Sequence, residues 1–490
     1  MLLRIIIISA YALMITVIGI IGLKRTRSFQ DFFLAGGKVG PWMTAFTYGT
    51  AYFSAVLFIG FAGKIGWNFG YSGIWIAVGN TLVGVLLVWW LLGPRIRRMA
   101  TDYGVSTMPE YFQKRYRSSF LKLFATIAIF IFLVPYCAAV FKGLSHLFEI
   151  NFNLPYWVAL LFMGTFTALY LSLGGYRSMT MLDVVFGIIM CGGVLLLLFF
   201  TLTRGGGLGR ITSELQAISP ALTRVVGPPG FWPLFSLVFL TSVAPLAMPQ
   251  LVQKFYAIKD QRSIRIGMVG STGFALLVVT IAYFTGAASR VFLNPLHTPL
   301  AFEKGQPVYD KIIPVFLGNV IPNSLLVIIL LLILSASMST LAALVLISSS
   351  SIAKDFVAGY VNRDISDRNL TLLMRACSVL FVVVSVVIAY FQPATIVFIL
   401  SISWGAIGSV FLGPFIWGLF TRFSNKYGAL SSAILGLGSC LFLSFQGMPP
   451  PQSGTIGMLV SLAVNPLVSL LTRSRVHDPV SLAGGKGESR

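Results

Sequence analysis

Three charged side chains stand inside segments of the chain that are otherwise apolar. Lys64 and Lys142 carry positive charges, and Asp183 is a carboxylate. A charge surrounded by hydrocarbon is costly, so such residues are retained where they meet an ion, a solute or an opposite charge. Each residue also has a purely structural interpretation. The lysine stems could reach the membrane interface, with Glu149 as a neighbour of Lys142, and Asp183 could complete a structural salt bridge.

Hydroxyl side chains interrupt the apolar stretch LLILSASMSTLAALVLISSSSIAKDF at Ser335, Ser337, Ser339 and Thr340. Hydroxyl oxygens are hard ligands, and an alkali cation inside a membrane needs several neutral oxygens from hydroxyls and unwound backbone carbonyls. The alternative is that these hydroxyls donate to carbonyls four residues earlier and let helices pack closely. Their spacing alone leaves both interpretations open.

Helix-breaking residues fall in two of the apolar segments. Gly49, Gly60 and Gly63 weaken the segment that contains Lys64, and Pro245 and Pro249 interrupt SLVFLTSVAPLAMPQ. Proline removes a backbone donor and clashes with the preceding turn, so the second segment should be broken. The two segments are five apart in chain order. Helices broken at corresponding places in two successive units are typical of transporters built from inverted repeats, whose binding site lies at the breaks.

The elements that hold these residues are membrane helices. The chain is 57% hydrophobic and only 10% charged, with a mean hydropathy of +0.88, which leaves too little polar surface for a soluble globule. Apolar runs long enough to cross a bilayer recur along its length and should all be helical. This indicates an all-α polytopic membrane protein of about thirteen spans. The predicted spans are Leu3–Leu23, Trp42–Ile65, Tyr71–Leu92, Leu123–Phe148, Tyr156–Leu173, Leu182–Leu202, Phe231–Leu251, Met268–Ala288, Leu325–Ile352, Ala376–Tyr390, Ile396–Phe420, Ala429–Phe445 and Ile456–Leu471.

The net charge of +21 follows the loops and forms no single patch, so no nucleic-acid partner is indicated. Basic residues concentrate in alternate loops, among them the one after the seventh span with Lys254 and Lys259. This asymmetry predicts an amino terminus outside and a carboxyl terminus in the cytoplasm, in a cell (inner) membrane. The first span is followed by KRTR and lacks a cleavage site, so we expect an uncleaved helix rather than a signal peptide.

The rest of the composition excludes an enzyme. Four cysteines lie within predicted spans with no shared spacing, and three histidines are scattered, so neither a metal cluster nor a catalytic constellation is indicated. We expect one transmembrane domain at 1–472, with core repeats at about 40–202 and 231–420, and a short cytoplasmic tail at 473–490. The expected partners are the lipid bilayer and a small organic solute, with no obligatory protein partner evident.

Six stretches in chain order resemble the solute:sodium symporter family, which includes sodium/proline, pantothenate, sialic acid and glucose carriers. They are DFFLAGGKVGPW, SAVLFIGFAG, LSLGGYRSMTMLDVV, MPQLVQKFYAIKD, SASMSTLAALVLISSSSIAKD, and WGAIGSVFLGPFIWGLFTR followed by YGAL. The resemblance implies a LeuT-like five-plus-five inverted repeat formed by spans two to eleven. It also implies sodium-coupled symport of a small organic solute by alternating access.

The resemblance implies a sodium site between the second and ninth spans. By alignment, its ligands are the backbone carbonyls of Thr50, Phe53 and Ala336 and the hydroxyls of Ser339 and Thr340. A second sodium is not expected, because Ala342 and Ala343 stand where some members have further hydroxyls. Asp183 is then expected to act as a relay for the released cation on the cytoplasmic side.

The solute site is expected around the two breaks, although each residue assigned to it could equally serve helix packing. By family analogy and from the intramembrane charges, the solute-site residues are Tyr52, Ser54, Lys64, Tyr136, Lys142, Thr241, Ser242, Ser403 and Trp404. With no acid inside a predicted span nearby, the two lysines could form an electropositive approach to the site. If they face the cavity, they favour a negatively charged solute, so we expect a carboxylate or an amino acid. Some proline-type carriers have aspartate where Tyr52 stands, so the cation should be held here with less negative charge.

Two other classes of function stay open at this point. A proton-coupled or cation-independent carrier could use Lys64 or Asp183 as its titrating group. A transporter-like sensor is another alternative, although such proteins carry signalling domains after the spans. A channel is disfavoured because no pore-loop motif occurs.

Overall fold

The protein is described from a computed structural model, which covers residues 2–25 and 28–473. Regular structure there is almost entirely helical. The α-helices are α1 (Leu2–Arg25), α2 (Phe29–Leu34), α3 (Pro41–Tyr52), α4 (Trp67–Phe69), α5 (Ile74–Gly79), α6 (Gly93–Tyr103), α7 (Met108–Tyr116), α8 (Ser119–Phe152), α9 (Tyr156–Arg204), α10 (Leu208–Ile218), α11 (Phe231–Val243), α12 (Pro249–Tyr256), α13 (Gln261–Phe292), α14 (Tyr309–Val320), α15 (Leu326–Ser350), α16 (Asp367–Phe391), α17 (Ile396–Phe420), α18 (Lys426–Phe445) and α19 (Pro450–Leu471).

Shorter elements connect or extend these helices. The π-helical segments are Val56–Gly66, Asn80–Leu92 and Ser351–Val361, and the 3-10 turns are Ala35–Gly37, Gly70–Gly73, Pro220–Thr223, Ala244–Ala247 and Pro299–Ala301. The strands β1 (Phe302–Glu303) and β2 (Gln306–Pro307) form a small antiparallel hairpin before α14.

Ten helical stretches in the described residues are long and apolar enough to cross a membrane, or eleven if one bent pair counts as a span. The protein is therefore a multi-pass membrane protein. The sequence predicts thirteen spans, and the difference has two sources. The predicted second and third spans follow each other closely around Gly70 and fall largely into one stretch, Val56–Tyr103, while α3 is too short to count. The predicted fifth span corresponds to the short apolar helix Tyr156–Leu169, which is continuous with the next.

Both predicted helix breaks are present. Helix α3 ends at Tyr52, Phe53 is extended with φ −112° and ψ 118°, and helical structure resumes at Val56. Helices α11 and α12 are separated by a 3-10 turn and by Met248 in an extended conformation, and the two are bent by 40°. Pro249 begins α12, where its missing N–H costs no hydrogen bond.

Burial separates central helices from peripheral ones. In both α15 and α17 the most apolar window is 89% buried within the protein, against 22% in the first helix. Helix α15 packs against α9, α8 and α3, and α17 packs against α8, α18 and α19. Apolar residues such as Leu13, Phe445 and Leu471 are exposed on peripheral helices, as expected for a lipid-facing surface. The hydroxyl-rich stretch therefore lies at the centre of the bundle.

Helix α9 is kinked at Gly175, which has φ 59° and ψ −172°. A side chain there would be strained, and an ideal Cβ would lie 3.0 Å from the carbonyl oxygen of Phe32. Glycine at this position lets α9 turn around α2. Beyond the kink, α9 carries Asp183 into the centre of the protein.

Candidate functional site

The break after α3 faces the hydroxyls of α15. The carbonyl groups at the end of a helix lack donors within the helix, so they are available to a ligand or a neighbouring hydroxyl. Thr340 Oγ1 lies 3.5 Å from the Thr50 carbonyl oxygen and 3.2 Å from that of Ala51. Ser339 Oγ donates to Thr50 Oγ1 at 2.8 Å. We call this meeting point the α3–α15 junction.

The junction brings together four of the five predicted sodium ligands. Thr340 Oγ1 also lies 3.1 Å from the Ala336 carbonyl oxygen, which places Ala336 with Thr50, Ser339 and Thr340. Phe53, the fifth, lies at the break and is buried. The predicted ligand atoms are neutral hydroxyl and carbonyl oxygens, which suit an alkali cation. No group of three His, Cys, Asp or Glu residues is placed to hold a metal in the described chain.

The other two hydroxyls of the stretch support the break. Ser337 Oγ accepts from the backbone N–H of Ala55 at 3.0 Å and donates to the Ile333 carbonyl at 2.7 Å. The hydroxyl groups of Ser335 and Tyr11 are hydrogen-bonded at 3.0 Å, which ties α15 to α1. Bonding to a carbonyl four residues earlier and contact with the break therefore occur together in α15.

Asp183 lies beside the junction and is fully buried. Neither carboxylate oxygen has a hydrogen-bond partner in the described residues, although the hydroxyls of Thr47, Thr50 and Ser339 interact with the carboxylate. The Thr47 hydroxyl is also buried without a partner. The junction thus has at its edge a buried carboxylate that lies near three hydroxyls and forms no ion pair in the described residues.

Lys254 was expected in a basic loop, and this prediction was wrong. It lies on α12 and is only 1% exposed. Its Nζ is 5.1 Å from the centroid of the Tyr176 ring and 3.8 Å from Met179 Sδ. The sequence misplaced it because α12 mixes Gln250, Gln253 and Lys254 with apolar residues, so hydropathy ends the span too early.

A small central cavity lies between the two breaks. Five of the predicted solute residues line it: Tyr52, Ser54, Tyr136, Thr241 and Trp404. The remaining lining residues are Phe53, Val56, Leu57, Phe61, Asn80, Tyr283 and Leu400. The cavity has about 30 Å³ of free space, on the order of one water molecule. The cavity is therefore too small to hold an organic solute in this conformation.

Tyr52 joins the two breaks across this cavity. Its hydroxyl donates to the Thr241 carbonyl at 2.5 Å, and its ring stacks on Trp404 with centroids 6.0 Å apart. Tyr136 meets the other side of Trp404 edge-on at 5.8 Å. The cavity wall is thus mainly aromatic.

Four predicted solute residues do not line the cavity. Ser242 donates to Asn80 Oδ1 at 3.1 Å, and Ser403 donates to the Phe132 carbonyl. Lys64 and Lys142 lie elsewhere, near α14. No charged residue is among the lining residues in the described chain.

Lys142 has a fixed partner, an acid that lies outside the predicted spans. Its Nζ lies 2.7 Å from Asp310 Oδ2 and donates to the Ala394 carbonyl at 2.8 Å. Asp310 in turn accepts from the N–H of Ile396, the first residue of α17, at 3.3 Å. Glu149, the neighbour suggested for Lys142, pairs instead with His146 at 2.8 Å. The pair therefore fastens α14 to α8 and α17.

Lys64 is half-buried beside the same cluster. Its Nζ donates to Thr395 Oγ1 at 3.4 Å and lies 5.5 Å from the centroid of the Tyr309 ring. Thr395 is the residue that caps α17. Lys64 thus belongs to the contacts that hold α14 over the second span, and neither lysine reaches the central cavity in this conformation.

Sequence reasoning missed two polar lining residues, Asn80 and Tyr283. Asn80 gave a signal, because it is an amide within an apolar span, and its Oδ1 accepts from the Ser242 hydroxyl. Tyr283 gave none, because a tyrosine among apolar residues is as typical of packing as of a site.

A sequence model of the sodium:solute symporter family matches residues 32–436. The chain belongs to this family. Among its relatives, the high-affinity proline transporter PutP of Bacillus subtilis (strain 168) is 28% identical over 467 residues, which cover 93% of this chain and 96% of the relative. The sodium/pantothenate symporter of Escherichia coli (strain K12) is 28% identical over 446 residues, covering 88% and 89%. The family is one of transporters, not enzymes.

Solved structures show the same fold. A substrate-bound, outward-open Na⁺-coupled sialic acid symporter aligns with a TM-score of 0.81 and 17% identity, over 96% of this chain and 97% of the other. The nucleobase-cation-symport transporter Mhp1 in a closed conformation aligns with a TM-score of 0.52 and 14% identity, over 90% and 95%. The sodium:solute symporter described here is therefore an all-helical transporter with LeuT-like structural neighbours.

Proposed function

We propose that this symporter couples the inward movement of sodium to that of a small organic solute by alternating access. The observation that carries the proposal is the α3–α15 junction, where Thr340 meets the carbonyls of Thr50 and Ala51 and Ser339 donates to the Thr50 hydroxyl at the unwound end of α3. Hydroxyls opposite a broken helix are the usual means of holding a transported cation at mid-membrane. Membership of the sodium:solute symporter family supports sodium as that cation.

The proposed sodium ligands are the carbonyls of Thr50, Phe53 and Ala336 and the hydroxyls of Ser339 and Thr340. Asp183 is proposed as the relay that the cation meets on its way out, since it is buried at the edge of the junction near the hydroxyls of Thr50 and Ser339. A carboxylate that is buried without an ion-pair partner is stabilised when a cation binds next to it.

The proposed solute site is the central cavity, and its chemistry favours an amino acid over a carboxylate anion. An anion in this cavity would be buried without a cation, because the lysines expected there are bound to other groups. The N–H groups of Ala55 and Val56 at the start of the helix are bonded to Ser337 and Ser54, so they are not free for an anion. A zwitterion or neutral solute carries no net charge into this setting.

The proposed topology follows the sequence. Spans two to eleven would form the five-plus-five inverted repeat, within core units at about 40–202 and 231–420, and the broken helices α3 and α11–α12 would be equivalent positions. The distribution of basic residues supports an amino terminus outside and a cytoplasmic carboxyl terminus in an inner membrane.

Uptake into proteoliposomes tests the proposal. Purified protein is reconstituted and given radiolabelled proline, pantothenate, sialic acid and glucose, each with an inward sodium gradient or with choline instead. We expect at least one solute to accumulate only with sodium. Sodium-independent accumulation, or sodium uptake that no solute stimulates, would contradict symport. Ser339→Ala/Thr340→Ala liposomes serve as the matched control.

Proton coupling is a second candidate, which the unpartnered carboxylate of Asp183 favours. A carboxylate without donors can bind a proton in place of a metal ion. The same liposomes separate the two functions. A proton gradient imposed without sodium should drive no accumulation if sodium is the coupling ion, and full accumulation if the proton is.

A further inference from the structure

Lys254 and Asp183 are opposite charges buried in one region without a direct salt bridge. Lys254 is 1% exposed and Asp183 is fully buried. No carboxylate lies within salt-bridge distance of Lys254 in the described residues, and Asp183 accepts no hydrogen bond there. The two charges nevertheless interact electrostatically. Burying two charges that form no direct pair is costly, so the fact that they lie near each other needs an explanation.

The geometry of α9 relates the two residues to each other. Tyr176, Met179 and Asp183 are spaced three and four residues apart, which puts them on one face of the helix beyond the Gly175 kink. The Lys254 ammonium lies against the first two, over the Tyr176 ring and beside Met179 Sδ. Asp183 follows about 6 Å further along the helix. Lys254 is therefore held near Asp183 by neutral contacts that leave the carboxylate free.

The other side of Asp183 faces the α3–α15 junction through Thr50 and Ser339. The carboxylate thus stands between a lysine that is always present and a cation that comes and goes. Without sodium, the charges of Asp183 and Lys254 cancel. With sodium at the junction, the region carries one net positive charge, and the lysine opposes the ion.

We propose that Lys254 is the built-in counter-charge of Asp183, a positioning residue that stabilises the sodium-free carrier and weakens sodium binding. This inference rests on the proposed function of the junction. In this role Lys254 neutralises the charge of Asp183 while the sodium-free carrier changes conformation, because a lone buried carboxylate would oppose that step. It also keeps sodium exchangeable, because an unopposed carboxylate beside the junction would hold the cation more tightly.

Sodium titration of the purified full chain tests the inference without knowledge of the solute. The thermal unfolding midpoint is measured against sodium concentration, with choline replacing sodium at constant ionic strength. Lys254→Met removes the charge and keeps the apolar stem. We expect it to lower the half-saturating sodium concentration by on the order of tenfold, the direction Coulomb's law requires. Asp183→Asn should raise that concentration by on the order of tenfold.

Variants that keep the balance of charge distinguish an electrostatic role of Lys254 from a structural one. The double variant Asp183→Asn/Lys254→Met is neutral like the wild type and should return to within about threefold of its half-saturation. Lys254→Arg, which keeps the charge, should do the same, and Lys64→Met is a control on a lysine remote from the junction. If Lys254→Met cannot be purified, Asp183→Asn against the double variant decides the question.

The outcomes separate this inference from the proposed function. If the wild type shows no sodium-specific stabilisation, both fail. If the wild type binds sodium but Lys254→Met leaves half-saturation unchanged, or the double variant binds as weakly as Asp183→Asn, only the role of Lys254 is overturned. Tighter binding in Lys254→Met together with recovery in the double variant supports it.

Discussion

The Lys142–Asp310 pair lies away from the residues that line the central cavity, so we expect it to stabilise the fold rather than to bind the solute. Both side chains are buried, with 7% and 5% exposure, and Asp310 also caps the start of α17 through the N–H of Ile396. A buried pair is close to neutral in net energy, but removing one partner leaves the other charge uncompensated at a cost of about 3–5 kcal/mol. The two residues should therefore be strongly coupled in stability.

We predict that Lys142→Met and Asp310→Asn each lower the thermal unfolding midpoint markedly, and that the double variant recovers much of the loss. Unfolding of the purified protein, followed by fluorescence during heating, measures all three. The unfolding midpoint of the double variant should stay somewhat below that of the wild type, because Asp310→Asn also weakens the cap on α17. Strictly additive losses would show that the two charges do not act on each other.

Lys64 should have little influence on the choice of solute. Its amine donates to Thr395 and lies over the Tyr309 ring, away from the residues that line the central cavity. We predict that Lys64→Met, which keeps the apolar volume, leaves the ranking of solutes in uptake assays unchanged. Competition by carboxylates and by their neutral amides measures this ranking. A selective loss of carboxylate binding would place Lys64 in the solute path after all.

Among single residues, the sequence predicted those site residues that stand in a recognisable local pattern. Ser339, Thr340 and Tyr52 fall in stretches whose composition marks them. Lys142 could not be paired from sequence, because Asp310 lies in a connection far along the chain and outside every apolar segment. Lys254 was missed because a short amphipathic half-helix does not register as a span.

Among the elements, α7 shows how one end of the bundle is fastened. Thr107 and Glu110 form a capping box, and Lys354 Nζ lies 3.0 Å from Glu110 Oε1. Thr107 also donates to Asp355 at 2.7 Å. Helix α7 is thereby joined to the π-helical segment Ser351–Val361, which continues α15. The junction helix and this surface helix should move together.

The pH dependence of stability reports on this fastening. Burial alone would raise the pKa of Glu110, but Lys354 and the backbone N–H of Ser106 outweigh burial and hold the pKa below its usual 4.5. A lowered folded-state pKa adds stability above the unfolded value, and that stability is lost as the pH falls through the folded value. The contribution of Glu110 should thus be complete at pH 7.

We predict that Glu110→Gln unfolds at a lower temperature than the wild type at pH 7, and that the difference shrinks as the pH falls below 4.5. Thermal unfolding at a series of pH values measures this. Glu214→Gln is the matched control, because Glu214 forms an exposed pair with Arg210 on α10. An offset for Glu110→Gln that is constant with pH would argue against an ionised carboxylate in the network.

The elements themselves follow from the sequence to differing degrees. Pro245 and Pro249 break α11 from α12 because neither residue can continue a helix, and the break is local chemistry. The number of spans was harder to predict from the sequence. Gly70 turns the chain without a polar loop, and α9 continues past a kink at Gly175, which has a positive φ. Hydropathy cannot detect turns made by a single glycine.

In the whole molecule, the two ends of the bundle differ. One end is covered by α14, held by the Lys142–Asp310 pair. The opposite end has a cavity of about 600 Å³ that is lined by Arg97, Lys259, Lys354 and Asp367 together with residues of α2. The central cavity between them is contracted. This asymmetry is compatible with the alternating access proposed above, in which one end of the carrier opens at a time.

The central claim is that sodium binds where α3 ends against α15. A sodium titration of thermal stability at constant ionic strength tests it most directly, comparing the wild type with Ser339→Ala/Thr340→Ala. The matched control is Ser348→Ala/Ser349→Ala, two hydroxyls further along the same helix, where Ser349 bonds Ser378. We predict saturable, sodium-specific stabilisation in the wild type and the control, and its loss in the junction variant. A junction variant that is stabilised by sodium as strongly as the wild type would contradict the assignment.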